Sequence, residues 1–426
     1  MELRSGYKKT EVGVLPDEWG VETLGAITTL LTNGFVGTVT NFYTKHDDGV
    51  LYIQGYNVEA NGYNLHGIKR VTKAFHLQHQ KSCLQEGDLL TIQTGDIGVT
   101  TFVPKEFEGA NCHALVISRF DKRTAVPSYY CQYFNSELGR IAFKEIETGT
   151  TMKHLNVGDM FKLPLPVPPL PEQRAIAAAL SDVDTMIASL DRLIAKKRDM
   201  KQATMQVLLT GKRRLPGFSG EWKVMKLGEV ADPDKKWSFT GGPFGSNLKF
   251  SDYTGEGVRI IQLQNIGNGE FHNDSEVFTS PEKADELLSC NIYPGEIILS
   301  KMGDPVARAC IIPPHCERYL MCSDGIRLVV NPNKFSTYFV YISINAPEFR
   351  TRAGNAGTGS TRKRIGLKEL RNLELICPEL PEQTAIATII SDMDADIATM
   401  EQKLDKTRML KQGMMQELLT GRIRLV

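Results

Sequence analysis

The chain has 426 residues, of which 41% are hydrophobic and 23% are charged, a composition typical of a soluble globular protein. This length suffices for two ordinary domains, no apolar run is long enough to span a bilayer, and scattered cysteines without a CxxC pair predict reduced thiols and a cytoplasmic location. The 50 basic and 50 acidic residues cancel, which excludes a generally basic DNA binder and leaves a local DNA contact or a positive field supplied by partners.

The first globular region, which we call the first arm (residues 20–165), shows short β-rich runs separated by turn residues. The runs at 50–54, 88–93 and 114–118 predict strands. A stretch near 128–144 predicts helical structure after these strands. We therefore predict an α+β arm.

Polar residues of the first arm occur at two kinds of position that suit contact with DNA. Amide and hydroxyl side chains at the ends of predicted strands match adenine edges or phosphate oxygens. These side chains are Gln54, Asn57, Gln93 and Thr94. A glycine-containing loop before the next helix offers free amides, hydroxyls and a cation, and its candidates are Gly149, Thr150, Thr151, Lys153 and His154. The alternative interpretation is that all of these are ordinary turn and strand-end residues.

A long helix is predicted over 168–211. Pro171 and Glu172 suit the first turn of a helix, and no further Gly or Pro occurs before Gly211, which is typical of a helix end. Apolar residues recur at alternating spacings of four and three, which is the pattern of a coiled-coil seam. The seam residues are Ile176, Leu180, Val183, Ile187, Leu190 and Ile194. The alternative is an amphipathic helix that lies on its own globular region.

The second arm (residues 222–375) repeats the plan of the first. Strands are predicted at 258–262, 296–300 and 326–330, and helical structure follows near 336–353. The strand-end candidates for DNA contact are Gln262, Gln264, Asn265 and Lys301. The loop before the next long helix supplies Gly359, Ser360, Thr361, Arg362, Lys363 and Arg364.

The second long helix, predicted over 378–426, is a copy of the first. Leu170-Pro-Glu-Gln-Arg-Ala-Ile-Ala recurs as Leu380-Pro-Glu-Gln-Thr-Ala-Ile-Ala, and about half of the positions in the two segments are identical without a gap. The second seam consists of Ile386, Ile390, Met393, Ile397, Met400 and Leu404. Because few residues separate Gly211 from the second arm, the second helix must run back along the first if the seams pack together. We therefore predict two arms separated by an antiparallel coiled coil with pseudo-two-fold symmetry.

Motifs for catalysis are missing from the sequence. We find no GxxxxGK[ST] phosphate loop, no Asn/Asp-Pro-Pro-aromatic run for base methylation and no nuclease-type set of carboxylates. Cys310, Cys316 and Cys322 with His315 are spaced too widely for a structural zinc site, so buried thiols are the simpler interpretation. We therefore predict a protein without chemistry, cofactor or metal of its own.

The repeated Leu-Pro-Glu-Gln-x-Ala-Ile-Ala motif, with Leu-Leu-Thr-Gly at the end of each helix, resembles the specificity subunit of type I restriction-modification systems. The resemblance covers the whole chain. It implies a first target-recognition domain with an N-terminal segment (1–167), a spacer helix (168–211), a linker with a second recognition domain (212–377) and a second spacer helix (378–426). It also implies that each recognition domain reads one half of a split sequence in double-stranded DNA.

The same resemblance implies partners and a cofactor that the partners hold. Two methyltransferase subunits would dock on the helices, and restriction subunits with motor activity would join them. The methyltransferase subunits, rather than this chain, would bind S-adenosylmethionine. Two alternatives stay open, namely a specificity partner of a fused restriction-methylation enzyme and a two-armed adaptor that does not bind DNA.

Overall fold

The computed structural model describes residues 5–359 and 362–425, so the loop candidates Ser360 and Thr361 lie outside the described residues. The chain forms two compact units of mixed helix and strand. The first unit combines residues 1–191 with 402–426, and the second consists of 192–401. Each unit therefore holds one arm and part of both long helices. Within the described ranges, no helix is both long enough and apolar enough to cross a membrane.

The first unit consists of short strands and helices that come before the first long helix. Its strands are β1 (Tyr7–Thr10), β2 (Gly13–Pro16), β3 (Gly20–Thr23), β4 (Thr28–Asn33), β5 (Val50–Ile53), β6 (Val58–Glu59), β7 (Gly62–Tyr63), β8 (Lys69–Val71), β9 (Leu89–Ile92), β10 (Thr100–Phe102), β11 (Asn111–Cys112), β12 (Leu115–Phe120) and β13 (Pro164–Val167). Its helices are α1 (Lys73–Gln78), α2 (Pro127–Asn135), α3 (Glu137–Ile146), α4 (Val157–Phe161) and the beginning of α5 (Leu170–Leu208).

The centre of the first arm is a four-stranded sheet in the order β10-β9-β12-β4, next to a three-stranded sheet in the order β11-β5-β8. Successive side chains of a strand point to opposite faces, and β12 uses both of its faces. Leu115 and Ile117 pack in one hydrophobic cluster, whereas Val116 packs in another. Because both faces are covered, this strand begins with a continuous apolar run, Leu115 to Ile117, rather than with alternating residues.

The second unit follows the same plan. Its strands are β14 (Lys223–Lys226), β15 (Phe239–Gly241), β16 (Tyr253–Thr254), β17 (Val258–Ile261), β18 (Val277–Thr279), β19 (Asn291–Ile292), β20 (Ile297–Ser300), β21 (Ala309–Ile311), β22 (Tyr319–Met321), β23 (Gly325–Leu328) and β24 (Glu374–Cys377). Its helices are α6 (Pro281–Glu286), α7 (Thr337–Asn345), α8 (Pro347–Ala356), α9 (Leu367–Arg371) and the beginning of α10 (Leu380–Leu418). The four-stranded order β15-β23-β20-β21 corresponds to β4-β12-β9-β10 of the first arm.

The long helices pair in opposite directions inside each unit. In the first unit, Lys411 near the end of α10 contacts Asp184 near the beginning of α5, at 2.5 Å between Nζ and Oδ1. In the second unit, Lys201 near the end of α5 forms the corresponding ion pair with Asp394 of α10. The predicted antiparallel pairing is therefore present, and none of the twelve predicted seam side chains is exposed.

The beginning of each long helix packs into the core of an arm. Ile176 and Leu180 of α5 join the hydrophobic core of the first arm together with Leu418 and Leu419 from the end of α10. In the second arm, α10 supplies Ile386 and its neighbours, and the end of α5 completes the core in the same way. The two interpretations of the helices, as a coiled-coil seam and as an amphipathic helix on its own arm, therefore both apply. The first turns of each long helix lie on an arm and also contact the end of the other helix.

The Glu of the repeated Leu-Pro-Glu-Gln motif connects the two long helices to each arm. Glu172 is fully buried, accepts a hydrogen bond from Trp19 Nε1 at 2.9 Å and pairs with Arg424, whose Nη2 lies 2.8 Å from Oε2. In the second unit, Glu382 forms the corresponding bidentate pair with Arg214 at 2.5 and 2.6 Å. A buried carboxylate needs such partners because an unpaired buried charge is strongly destabilising.

The Gln of the motif fixes the chain that enters the helical stretch of each arm. Gln173 Oε1 accepts from the Val126 amide at 2.8 Å, and its Nε2 donates to the carbonyls of Thr124 and Pro168 at 3.0 and 2.8 Å. Gln383 makes the corresponding set of bonds in the second arm. The motif is therefore repeated because it performs the same structural task twice.

Candidate nucleic-acid interface

The glycine loop of the first arm is a small hairpin that is joined to the end of β9. Thr148 and His154 exchange backbone hydrogen bonds of 3.0 and 2.9 Å, and the Leu155 amide donates to the Gln93 carbonyl at 3.0 Å. Thr94 also forms a β-bridge with His154. The structure thus brings two strand-end candidates to the predicted loop. We call residues 93–95 with 148–154 the first loop site.

The sharp turn of this hairpin depends on Gly149. Its φ is +102°, and a Cβ atom there would lie 2.2 Å from the Met152 carbonyl oxygen. The loop residues from Gly149 to His154 are exposed, and Lys153 Nζ is 2.8 Å from Glu147 Oε2. The turn therefore presents its amides and hydroxyls to solvent, while a neighbouring carboxylate neutralises its lysine.

The second arm contains the same construction. Thr358 and Arg364 exchange backbone hydrogen bonds of 2.9 and 2.8 Å, the Ile365 amide donates to the Lys301 carbonyl at 2.9 Å, and the Gly303 amide donates to the Lys363 carbonyl at 3.0 Å. We call residues 301–303 with the described part of 358–364 the second loop site. Gly359, with a φ of +107°, occupies the place of Gly149. The structure thus brings the strand-end candidate Lys301 to the predicted loop of the second arm.

Positive charge is concentrated in the second loop site. Arg362, Lys363 and Arg364 are exposed, and Lys301 is half-buried next to them. Arg364 pairs with Asp324 at 2.6 Å, and Lys363 Nζ donates to the carbonyl of Gly354 at 3.2 Å instead of to a carboxylate. At the positions that correspond to Lys301, Arg362 and Arg364, the first arm has Gln93, Met152 and His154. The described part of the second loop site is thus a locally basic surface on a chain without net charge.

Two of the predicted contact residues are structural instead. Asn57 is 0% exposed, and its side chain accepts from the Gln54 amide at 3.1 Å and donates to the Asn64 carbonyl at 2.9 Å. Asn265, which is 1% exposed, closes the corresponding turn of the second arm. Each of these two amides is buried and holds its own turn, which favours the turn-residue interpretation over contact with DNA.

The neighbouring glutamines keep access to solvent. Gln54 is half-buried and donates from Nε2 to the Tyr43 hydroxyl at 3.0 Å. Gln264 is exposed and donates to Oε1 of the half-buried Gln262 at 3.2 Å. These side chains stay candidates for base contact, because a solvent-facing amide can exchange its present partner for a base edge.

The strand ends that carry the candidates meet at one junction in each arm. In the first arm, the His113 amide donates to the Ile53 carbonyl at 2.8 Å, and Leu115 pairs with Ile92 two residues later. Gln54 and Gln93 therefore follow strands that end on either side of the same short segment. Burial lowers the pKa of His113, whose Nδ1 lies 3.0 Å from the Tyr52 hydroxyl.

The sequence predictions missed one cation that lies beside the second loop site. The terminal guanidinium nitrogen of Arg308 lies 3.5 Å from where a Cβ atom would stand on Gly303. The Ser300 amide donates to the Arg308 carbonyl at 2.8 Å, just as the Ile92 amide donates to the Val99 carbonyl at 2.9 Å. Aligning the two Gly-Asp pairs of these hairpins, and allowing one extra residue in the second, would have shown arginine in the place of valine.

The cysteines and histidine considered for metal binding do not form a cluster. Cys310 is buried in one hydrophobic cluster of the second arm, while Cys322 borders another. Burial raises the pKa of Cys310 to about 12, which favours the thiol over the thiolate that metals require. In the described ranges, no three His, Cys, Asp or Glu side chains are grouped as a metal site would need.

The fold is that of solved specificity subunits. The S subunit of a type I restriction-modification system from M. genitalium superposes with a TM-score of 0.59 over 98% of each chain, at 16% identity. Residues 16–196 and 219–407 each match the family described as type I restriction modification DNA specificity domain. The chain therefore belongs to the family of type I restriction-modification specificity proteins, and it contains two copies of the family domain.

Curated relatives agree over most of their length. The putative type I restriction enzyme MjaX specificity subunit of Methanocaldococcus jannaschii is 25% identical over 98% of this chain and 97% of its own. The type I restriction enzyme MjaVIII specificity subunit of the same organism is 22% identical over 83% of each chain. The recognised family thus agrees with the resemblance carried by the two Leu-Pro-Glu-Gln motifs.

Proposed function

We propose that this chain is the DNA-recognition subunit of a type I restriction-modification enzyme and that each arm reads one half of a split target in double-stranded DNA. The observation that carries the proposal is the repeated loop site, in which an exposed hairpin is hydrogen-bonded to a strand end in both arms. Exposed amides, hydroxyls and cations on a rigid support are suited to phosphate and base edges. Recognition domains at 1–167 and 212–377 would hold one such site each.

The long helices would be the part that the partners recognise. The proposed assembly has two methyltransferase subunits on the spacer helices 168–211 and 378–426, restriction subunits joined to them, and S-adenosylmethionine bound by the methyltransferase subunits. The chain itself would perform no chemistry. We therefore expect the purified chain to show no methyl transfer, DNA cleavage or ATP hydrolysis, and methyl transfer by the chain alone would contradict the proposal.

Mapping of methylated bases tests DNA recognition directly. We expect a strain that expresses this chain with its methyltransferase subunit to modify a sequence with two specific parts and an unspecified gap. Replacing residues 222–375 with the second arm of another family member should change one part and leave the other unchanged. A continuous motif, or a motif that does not respond to the exchange, would contradict the proposal of one half-site per arm.

The gap between the half-sites gives a second test. Inserting one heptad within 183–194 and another within 393–404 keeps the seam and adds about 10 Å to each helix. If the helices set the gap, the modified motif should keep both parts and gain about three base pairs between them, since base pairs are about 3.4 Å apart. An active enzyme with an unchanged gap would show that the helices are not a ruler.

A further inference from the structure

The hairpin between β20 and β21 places an arginine beside the second loop site where the first arm has a valine. Arg308 and Val99 occupy the same register, since each carbonyl accepts from the strand residue opposite, Ser300 or Ile92. Asn345 bonds the next residue of the hairpin, Ala309, at 3.1 and 3.3 Å, so the position is fixed from the helical side as well. At this position the two arms therefore share the register and differ in the side chain, although the second hairpin has one more residue before it.

The guanidinium of Arg308 has no acidic partner within residues 5–359 and 362–425. It forms no ion pair with a described carboxylate, and its Nε is buried without a hydrogen-bond partner. Its charged neighbour is a second guanidinium, Arg350. Two adjacent cations without a carboxylate are unfavourable in a partly buried place, because the charges repel and have lost water.

Arg350 does not relieve this positive charge. Its terminal nitrogens donate only to uncharged oxygens, at 3.0 Å to the Val306 carbonyl, 2.6 Å to Asn268 and 2.5 Å to Asn345. Burial and the nearby Arg308 lower the pKa of Arg350 to about 10, so it stays protonated at neutral pH. The role of Arg350 is to hold the surrounding loops, and the donors of Arg308 stay available.

The available donors face the loop that contains the other cations. The side chain of Arg308 lies beside Gly303, whose amide is bonded to the Lys363 carbonyl. Gly303 has no side chain, and the guanidinium occupies the space next to it. Arg308 thus extends the basic surface of Lys301 and Lys363 toward a ligand with negative charge or paired acceptor atoms.

We propose that Arg308 binds DNA in the second half-site through a pair of acceptor atoms, and that the first arm has no equivalent contact. The proposal rests on the proposed function and adds a residue that distinguishes the two arms. Phosphate oxygens and the O6 and N7 atoms of guanine both offer the paired acceptors that a guanidinium fork fits. The two sources predict different behaviour when the charge is removed.

The test is Arg308→Gln in the complex with the methyltransferase subunits, titrated with a duplex that carries the mapped methylation motif. Arg308→Met, which keeps the bulk of the side chain, serves as the second variant if the first fails to fold. The control is Arg318→Gln, which removes the same charge from an arginine that is already paired with Asp285 at 2.6 Å. Thermal unfolding of each complex shows whether the variants are folded.

Contact with phosphate predicts that Arg308→Gln weakens all sequences alike and lowers the slope of log K against log salt concentration by about one. Contact with guanine predicts about a tenfold loss of discrimination at one G·C pair of the second half-site, with binding to duplexes altered at that pair little changed. Either result supports the proposal. The proposal would be overturned if a folded Arg308 variant bound DNA as the wild type does, or if Arg318→Gln lost as much affinity. The proposed function would be unaffected by either result. Failure of the wild-type complex to prefer its motif would overturn both.

Discussion

The two loop sites have the same backbone and different charges. Each consists of a hairpin closed by a glycine with positive φ and hydrogen-bonded to a strand end. In the first site, the lysine is paired with Glu147 at 2.8 Å, and Gln93 and Met152 stand where the second site has Lys301 and Arg362. In and beside the second site, the described cations form one ion pair with a described carboxylate, between Arg364 and Asp324. No such pair is formed by Lys301, Arg308 or the other described cations of the loop. The comparison teaches that the shared backbone presents a surface, while the side chains decide what that surface binds.

The largest effect is expected on the free energy of unfolding, from substitution of the buried glutamate at the base of each arm, rather than on DNA binding. Glu172→Ala leaves the buried Trp19 indole without its acceptor and leaves Arg424 with only the exposed Glu18, so the free energy of unfolding should fall by about 3 kcal/mol. Glu382→Ala should cost less, about 2 kcal/mol, because Trp222 is only half-buried and its bond to Glu382 is long at 3.3 Å. Urea unfolding measures both, and a larger loss for Glu382→Ala would reverse this order.

Reversing charges should separate the two loop sites. If Lys301 and Lys363 each contact a phosphate, the double variant Lys301→Glu with Lys363→Glu should reduce affinity for a duplex that carries the methylation motif about 100-fold near physiological salt. The slope of log K against log salt concentration should fall by about two, because two attractive contacts become repulsive. Lys153→Glu in the first site should cost about tenfold or less, since Glu147 already neutralises that lysine. Equal losses from the two sites would show that charge is not what distinguishes them.

The hairpin turns should differ in their tolerance of a side chain. Gly149→Ala places a Cβ atom 2.2 Å from a carbonyl oxygen at positive φ, and we expect a loss of about 2 kcal/mol in stability with weaker DNA binding. Gly359→Ala meets its nearest carbonyl oxygen at 2.7 Å and should cost about 1 kcal/mol. The control is Gly158→Ala, where no atom lies within 4 Å and α4 accepts alanine. A neutral Gly149→Ala variant would show that the turn can rearrange.

The smallest effect concerns pH and should be confined to the first arm. Burial lowers the pKa of His113, so the folded arm binds fewer protons than the unfolded chain as the pH falls below the ordinary histidine value of about 6.5. The contribution of neutral His113 to the free energy of unfolding is complete above that value and is lost as the pH falls through the lowered pKa. The second arm has Cys322 in the place of His113, with the corresponding backbone bond, so the same effect is not expected there. Hydrogen exchange at pH 7.5 and 5.5 should show that the first arm, and not the second, opens more readily at pH 5.5. His113→Gln should abolish this difference between the two pH values.

Much of the fold follows from local patterns in the sequence. The runs at 50–54 and 88–93 become β5 and β9. Helix α5 begins and ends within a few residues of the predicted 168–211, whereas α10 begins near the predicted residue 378 but ends at Leu418, well before residue 426. Repetition made these predictions stronger, since each arm supplied a second example of the same pattern. The direction of the helices followed from the short connection between them and the second arm, which left one arrangement for a chain of that length.

The exposure of the candidate DNA-contact residues was harder to predict, because it depends on tertiary packing. Asn57 and Gln93 both follow a strand and look alike in sequence, yet Asn57 is buried in its own turn and Gln93 reaches the hairpin. Arg308 gave no signal as a single residue. Its difference from Val99 depends on the register of the hairpin and on the lack of an ion pair with any described carboxylate, and both are properties of the folded chain.

The first unit is built from two segments that are far apart in the chain, and this affects the order in which the two units can fold during synthesis on the ribosome. Residues 402–425 supply Leu418, Leu419 and Arg424 to the first arm, whereas the second unit is continuous from 192 to 401. Synthesis proceeds at about 5–20 residues per second, so the first arm waits tens of seconds for the segment that completes its core. The later-made unit can thus close first, and the nascent first arm exposes apolar surface that a chaperone would have to cover until translation has passed residue 425.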